Sequence, residues 1–382
     1  MYNVNKNYKF IKKMHTNLNI LLTRKLPDSI EKKLSKQFKV LVNSKDKLYT
    51  YNELKKKIEN IDILVPSIGD TIDSSIIRSA KKLKMIANFG NGVDNIDLIT
   101  AKEEKITVTN TPEVLTDDTA DIVILMMLML TRETKQAEKT LYTGNWTGWG
   151  PSKTVGQRIK GKKLGIIGMG RIGQAVSKRA ITLGLEINYH NRKKLPLSLE
   201  KNLNAKYWKD LDMMIKVMDI ISIHCPYTSE TFHLLSKSRL KRLKKKCILI
   251  NTSRGEIIDE NELANLLISK KIAGAGLDVF ENEPQISPKL FEAENVVLLP
   301  HISSATIESR LEMGNRVIKN ITDFVNMRKP KDTIWPILDS TNFTIFIFRN
   351  RDFFIFISNR VEYMKKVKNI FYDLDQNCYF YK

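Results

Sequence analysis

Three side chains in this sequence combine the chemistry of an acid, its partner base and an anion holder. Arg254 closes an apolar run in Ile250-Asn251-Thr252-Ser253-Arg254-Gly255. Glu283 follows a second run in Asp278-Val279-Phe280-Glu281-Asn282-Glu283-Pro284, and His301 follows a third in Leu299-Pro300-His301-Ile302-Ser303-Ser304. If the runs are parallel strands, all three residues leave strand ends on one rim of a sheet, where such sheets bind ligands. An arginine can hold a carboxylate in a fork and polarise a neighbouring carbonyl. A carboxylate beside an imidazole fixes its tautomer and favours its protonated form, which makes a general acid near neutral pH.

A second pattern lies upstream. Gly168-Met169-Gly170-Arg171-Ile172-Gly173 directly follows an apolar run at 164–167 and opens a helical stretch reaching about residue 183. In that context the first glycine permits a tight turn and the second lets backbone approach a pyrophosphate. The third allows close packing of helix on strand, and the helix N-terminus favours the phosphates. The next strand ends in Tyr189-His190-Asn191-Arg192-Lys193-Lys194. It lacks the acid that usually binds the ribose 2′-hydroxyl, and its cations suit a 2′-phosphate. NADP is therefore expected, NADPH preferred, with NAD as a second option.

These residues need a frame of strands ending on one side. Strands are expected at 19–23, 39–42, 62–65, 85–88 and 106–109. Helices are expected at 28–38 (Asp28 as N-cap), 51–59, 74–83 and 96–104. A buried, very apolar helix follows at 117–132. A second series places strands at 164–167, 186–190, 219–223, 247–251, 275–279 and 296–299, with helices between. A long helix at 303–327 runs back to the first series. The expected class is α/β: two doubly wound parallel-sheet domains, a Rossmann cofactor domain and a flavodoxin-like substrate domain, with a cleft between. The boundaries are 18–112 with 302–338 for the substrate domain and 113–301 for the cofactor domain. Between the two series, Gly144-Asn145-Trp146-Thr147-Gly148-Trp149-Gly150-Pro151 forms a Gly- and Trp-rich loop. Its indoles either contact a ligand or partner, or cap the core beneath.

The chain has 382 residues, 42% apolar and 27% charged. That excludes collagenous, wholly disordered and disulfide-scaffold proteins. No run approaches the roughly 20 apolar residues of a membrane-spanning helix. The three cysteines have neither framework nor metal-ligand spacing, which fits a reducing, cytoplasmic compartment and no metal. The net charge of +21 would suit anionic small substrates or nucleic acid. A simpler reading is a lysine-rich composition, with the runs 81–84 and 241–246 as solvated helix faces. Beyond residue 340 lie eight of the fifteen Phe residues, without helical or alternating period. Residues 343–357 read as aggregation-prone.

Taken in order, the four motifs resemble those of the D-2-hydroxyacid dehydrogenase family, over about residues 18–338. Within it the Trp loop and the 189–193 segment most resemble bacterial glyoxylate/hydroxypyruvate reductases. The resemblance implies that Arg254 binds the substrate carboxylate and carbonyl, that His301 is the proton donor, and that Glu283 is its partner. It implies that Gly90-Asn91-Gly92-Val93-Asp94 supplies carboxylate-binding N–H groups at Asn91 and Gly92, with Ile68 and Gly69 nearby. Met169 to Ile172 would cradle the pyrophosphate, and Asn191, Arg192 and Lys193 would face the 2′-phosphate. Cys225 and Pro226 would flank the adenosine side, and Thr252, Ser253, Asp278 and Ser303 would line the nicotinamide site. Trp146 or Trp149 would complete the partner's pocket in a homodimer. Residues 1–17 and 339–382 extend beyond the family's usual ends, with no assigned role.

The implied activity is reduction of a small 2-oxo acid, glyoxylate or hydroxypyruvate, to the D-2-hydroxy acid. The alternatives are a D-lactate or phosphoglycerate type of the same family, and a non-catalytic dinucleotide-sensing protein that binds nucleic acid.

Overall fold

A computed structural model describes residues 18–334 and the backbone of two further strands, 343–349 and 352–358. The extension at 1–17 and the remainder of 335–382, Cys378 included, lie outside the described residues.

The first sheet is assembled from β1 (Asn19–Leu22), β2 (Lys39–Val42), β3 (Ile63–Val65), β4 (Met85–Ala87) and β5 (Thr107–Thr109). Between them run α1 (Asp28–Ser35), α2 (Tyr51–Ile58), α3 (Ser74–Ser79) and α4 (Leu98–Glu103). All five strands are parallel, in the order 2-1-3-4-5. Period-two alternation splits each strand between two cores. Ile20, Leu22, Ile63, Val65 and Met85 face one, while Leu21, Leu64, Ile86 and Val108 face the other.

From β5 the chain crosses through Pro112 into α5 (Thr116–Thr131), and α6 (Thr134–Tyr142) follows. The second sheet is laid down by β6 (Lys163–Ile167), α7 (Arg171–Thr182), β7 (Glu186–His190), α8 (Leu197–Asn202), β8 (Lys206–Tyr207), α9 (Leu211–Ile215) and β9 (Ile220–Ile223). It continues with α10 (Lys237–Leu240), β10 (Ile248–Asn251), α11 (Glu260–Ile268), β11 (Gly274–Leu277), α12 (Pro288–Glu292) and β12 (Val296–Leu298). Its seven parallel strands run 8-7-6-9-10-11-12, again with a core on each face.

The chain then returns. α13 (Ile307–Val325) packs on α1 and β4, and β13 (Thr333–Ile334) pairs antiparallel with β5. In each sheet the strand order reverses at one point, between β1 and β3 and between β6 and β9. Crevices at such reversals bind ligands. Thr23 and Ser67 follow the first pair of strands; Gly168 and Cys225 lie just beyond the second.

Several element ends differ from expectation, for local reasons. Pro27 precedes α1 and its carbonyl accepts from Ile30 N–H, so Asp28 is the first helical residue and not the cap. α3 stops at Ser79, because Ala80 turns out of the helical conformation at φ −88° and ψ 72°. Asp97 caps α4 and Thr306 caps α13, so both helices start later than expected. The runs 81–84 and 241–246 lie largely in turns between elements, and are not helix faces. The α5 helix buries Ala120, Val123, Met126 and Met127 and half-buries Ile122, Ile124, Met129 and Leu130 against the same core, so that only the stripe Asp117, Asp121 and Leu125 is exposed. In the separate C-terminal unit, β14 (Phe343–Arg349) pairs antiparallel with β15 (Asp352–Ser358), a regularity the aromatic-rich sequence does not announce.

Candidate active site

Arg254, Glu283 and His301 converge because three successive strand ends are forced together. At the end of β10, Asn251 folds the turn: its side chain donates to Arg254 O (2.8 Å) and accepts from Ser253 N–H (3.0 Å). The following Gly255 lies flat against the end of β11, where a Cβ would come within 1.9 Å of the Phe280 carbonyl carbon. Only glycine permits that approach, which draws the arginine turn onto the segment carrying Glu283.

Glu283 Oε1 accepts from Phe280 N–H (3.0 Å), and its Oε2 lies 2.8 Å from His301 Nδ1. Burial pushes the Glu283 carboxyl upward. The His301 bond and charge, the Phe280 N–H and the Arg254 charge outweigh it and hold the group below its ordinary 4.5. An ionised carboxylate only accepts, so Nδ1 carries its proton and Nε2 is left for chemistry.

The histidine backbone stands at φ 53°, in the left-handed region. It is held there from below: its N–H donates to Asp278 O, and the Asp278 carboxylate accepts from Ile302 N–H (2.7 Å) and Ser303 N–H (2.8 Å). Asp278 is fully buried, and burial raises its pKa despite those bonds. It braces the histidine turn, with both of its oxygens engaged by backbone N–H groups. Ser303 is likewise buried.

On the facing sheet, the loop 90–94 is tied down by its carbonyls. Gly90 O accepts from Thr111 N–H, Asn91 O from Asn110 Nδ2 and Gly92 O from Asn88 Nδ2. The N–H groups of Asn91 and Gly92 have no partner among the described residues, which leaves them free for an anion. Ile68 lies against Gly90, and Leu48 leans over Gly69. Asp94, to which the sequence assigns no role, grips Arg254 with two bonds of 2.9 Å. The carboxylate and the guanidinium are 160 residues apart, so no local pattern announces the pair.

The residues of the glycine loop fit a nicotinamide dinucleotide. Gly168 has φ 98° and abuts the Cys225 backbone. Gly170 has open space where a Cβ would stand, and Gly173 meets the Gly168 carbonyl. Gly170 caps α7 without a side-chain bond, so the first N–H groups of Arg171 and Ile172 stay available. The Thr252 hydroxyl is buried with no partner, as a group awaiting a ligand would be.

The remaining candidate residues lie beside the glycine loop or at the surface. The Met169 side chain is buried in the core, so only its backbone faces the loop. Asn191 Oδ1 accepts from Met169 N–H (2.7 Å), which makes Asn191 a tie for the glycine loop. Arg171 pairs with Glu113 (3.1 Å), and Arg192 lies 3.5 Å from Glu230 at the surface. Lys193 is exposed and has no ion pair among the described residues. Ser253 Oγ donates to Cys225 O (2.5 Å), while Pro226 is exposed beside it. Burial pushes the Cys225 thiol up to about 11. Trp146 is 61% and Trp149 86% exposed, which excludes the reading that they cap the core.

Known proteins resemble this chain in both sequence and fold. The family model described as D-isomer specific 2-hydroxyacid dehydrogenase, NAD binding domain, matches residues 124–303. The glyoxylate reductase of Thermococcus litoralis is 40% identical over 319 residues, spanning 82% of this chain and 96% of that protein. The structure of a glyoxylate reductase from Paecilomyes thermophila aligns with a TM-score of 0.73 and 31% identity, covering 83% of this chain and 98% of its own. An NADPH-dependent glyoxylate/hydroxypyruvate reductase from Sinorhizobium meliloti, solved with NADP and malonate, aligns with a TM-score of 0.73 and 30% identity, covering 84% and 97%.

Proposed function

The chain belongs to the D-isomer specific 2-hydroxyacid dehydrogenase family, and on that premise we propose that it reduces glyoxylate or hydroxypyruvate to glycolate or D-glycerate, with NADPH preferred. It is an NAD(P)-dependent oxidoreductase. The observation that carries the reading is the His301–Glu283 pair beside Arg254, facing an unpartnered pair of backbone N–H groups.

When bound, the cofactor supplies a hydride to the carbonyl carbon. The Asn91 and Gly92 N–H groups and Arg254 hold the substrate carboxylate, which fixes the carbonyl in a near-attack geometry. Arg254 stabilises the negative charge that develops on the carbonyl oxygen. His301 Nε2 donates the proton that completes the alcohol, and Glu283 keeps the ring oriented. On the cofactor side, Gly168 to Gly173 carry the pyrophosphate, and Arg192 and Lys193 take the 2′-phosphate. That preference rests on the absence of any acid at 190–194.

The remaining readings follow from the same frame. The substrate lobe comprises 18–112 with 302–338, of which 335–338 lie outside the described residues, and the cofactor lobe 113–301. The working form is a homodimer. Its support is the exposure of Leu141, Tyr142, Trp146 and Trp149 on and after α6, a helix with no buried residue. A cytoplasmic location agrees with the free thiols of Cys225 and Cys247. Among the described residues no helix is long and apolar enough to cross a membrane.

The test is nicotinamide absorbance with each oxo acid and each reduced cofactor. Oxidation of NADPH by either acid, faster than of NADH, is expected. No oxidation with any pair, from folded protein, refutes the reading.

A further inference from the structure

An arginine has five N–H groups, and the geometry fixes how Arg254 spends them. Nε donates to Asp94 Oδ2 and Nη2 to Asp94 Oδ1, both at 2.9 Å. Nη1 donates to Ser253 O at 2.7 Å. Two N–H groups remain, one on each terminal nitrogen, side by side at the end of the guanidinium. They have no acceptor among the described residues and form a fork that is still open.

That fork lies against the loop with the free amides. A Cβ on Gly92 would stand 1.9 Å from Arg254 Nη2, so the arginine rests on the glycine itself. Asp94 is two residues further along the same loop, and its hydrogen bonds with Arg254 hold its carboxyl below 3.8 although burial pushes it upward. One loop therefore presents the free N–H groups of Asn91 and Gly92 and also grips the arginine from the opposite sheet.

We infer that Asp94 is a positioning residue: it locks the Arg254 guanidinium so that its open fork faces the 2-oxo acid beside the Asn91 and Gly92 N–H groups. The inference rests on the proposed function for the identity of the anion. Its consequence is selectivity by direction. Asp94 neutralises the arginine, so an incoming monoanion is recognised by aimed donors and not by an uncompensated positive charge. A second consequence is coupling. Arg254 belongs to the second sheet and Asp94 to the first, so the fork is aimed only when the two lobes are together.

The test compares wild type with Asp94→Asn, which keeps the shape but replaces one acceptor by a donor and removes the charge. Three quantities are read: kcat with glyoxylate or hydroxypyruvate, binding of oxamate (an unreactive 2-oxo-acid analogue) to the NADPH-loaded protein, and NADPH affinity. Expected is a loss of about tenfold to a hundredfold in kcat and in oxamate affinity, with NADPH affinity unchanged. Asp94→Glu keeps the charge on a longer stem and should fall between, which covers the case of a poorly folding amide variant. Unchanged kcat and oxamate affinity in both variants overturn the inference. So does a loss of NADPH affinity as large as that of oxamate, which marks a general structural role. If the wild type reduces neither acid, the proposed function fails, and the oxamate comparison alone decides whether Asp94 aims the arginine.

Discussion

His301 presents one nitrogen to the cleft, because Glu283 takes the other. Replacing His301 by Ala should cost about 10²–10⁴-fold in turnover while leaving NADPH binding intact. Steady-state rates alongside cofactor titration check this, and near-normal turnover would remove the histidine from the mechanism. The carboxylates carry a pH signature. Asp94 and Glu283 are both held below their ordinary 3.8 and 4.5. A depressed folded value means the stabilisation is complete above the ordinary value and is lost as pH falls through the folded one. The stability gap between wild type and Asp94→Asn, read by urea unfolding, should therefore shrink as pH drops below 3.8. A gap that stays constant to lower pH would contradict the ionised pair. At this scale the convergence of His301, Glu283 and Arg254 is legible in sequence because each lies in the segment that leaves the end of an apolar strand. Asp94 is not legible, since its partner is remote in the chain. The bonds of Asp278 are also hidden, because a carboxylate near a strand end does not announce which backbone N–H groups it accepts from.

The turn between β6 and α7 makes a prediction that separates folding from binding. An Ala at position 173 would press its Cβ to 2.5 Å from the Gly168 carbonyl, whereas an Ala at 170 meets nothing within 4 Å. Gly173→Ala should destabilise the protein by about 1–3 kcal/mol through overpacking. Gly170→Ala should leave the melting temperature unchanged yet weaken NADPH binding, because its methyl fills the approach of the pyrophosphate. Thermal melts and cofactor titrations of the two variants check the contrast. Equal effects on both readouts would mean the loop's glycines serve folding alone. The alternating elements are legible here because strand cores and glycine punctuation repeat throughout. What stayed hidden was short or paired at a distance: β8 and β13 have two residues each, too few for any period. Helix starts shifted where a polar residue such as Asp97 or Thr306 already met the orphan N–H groups as a cap.

Among the described residues, the stretch 141–155 gathers exposed apolar side chains close together in the chain: Leu141, Tyr142, Trp146, Trp149 and Val155 are each at least 61% exposed. Monomeric proteins seldom expose large contiguous apolar patches. Changing Tyr142, Trp146 and Trp149 together to Ser should shift the protein from dimer to monomer in sedimentation. A wild-type monomer would refute the proposed assembly. The sequence marks this stretch by its tryptophans, but only the solvent exposure of both indoles decides between a core cap and a contact surface.

The return of the chain through α13 and β13 bears on the order in which the protein is made. Residues 19–109 leave the ribosome first, yet Ile30 and the β4 side of their sheet are covered by Met313, Val317 and Ile321 on α13. The edge of β5 waits for Thr333 and Ile334. By then the whole of the second sheet has been synthesised. The lobe that begins the chain is thus the last to be completed, and a nascent chain halted near residue 301 would hold a finished glycine-loop sheet beside a first sheet still open along one face and one edge.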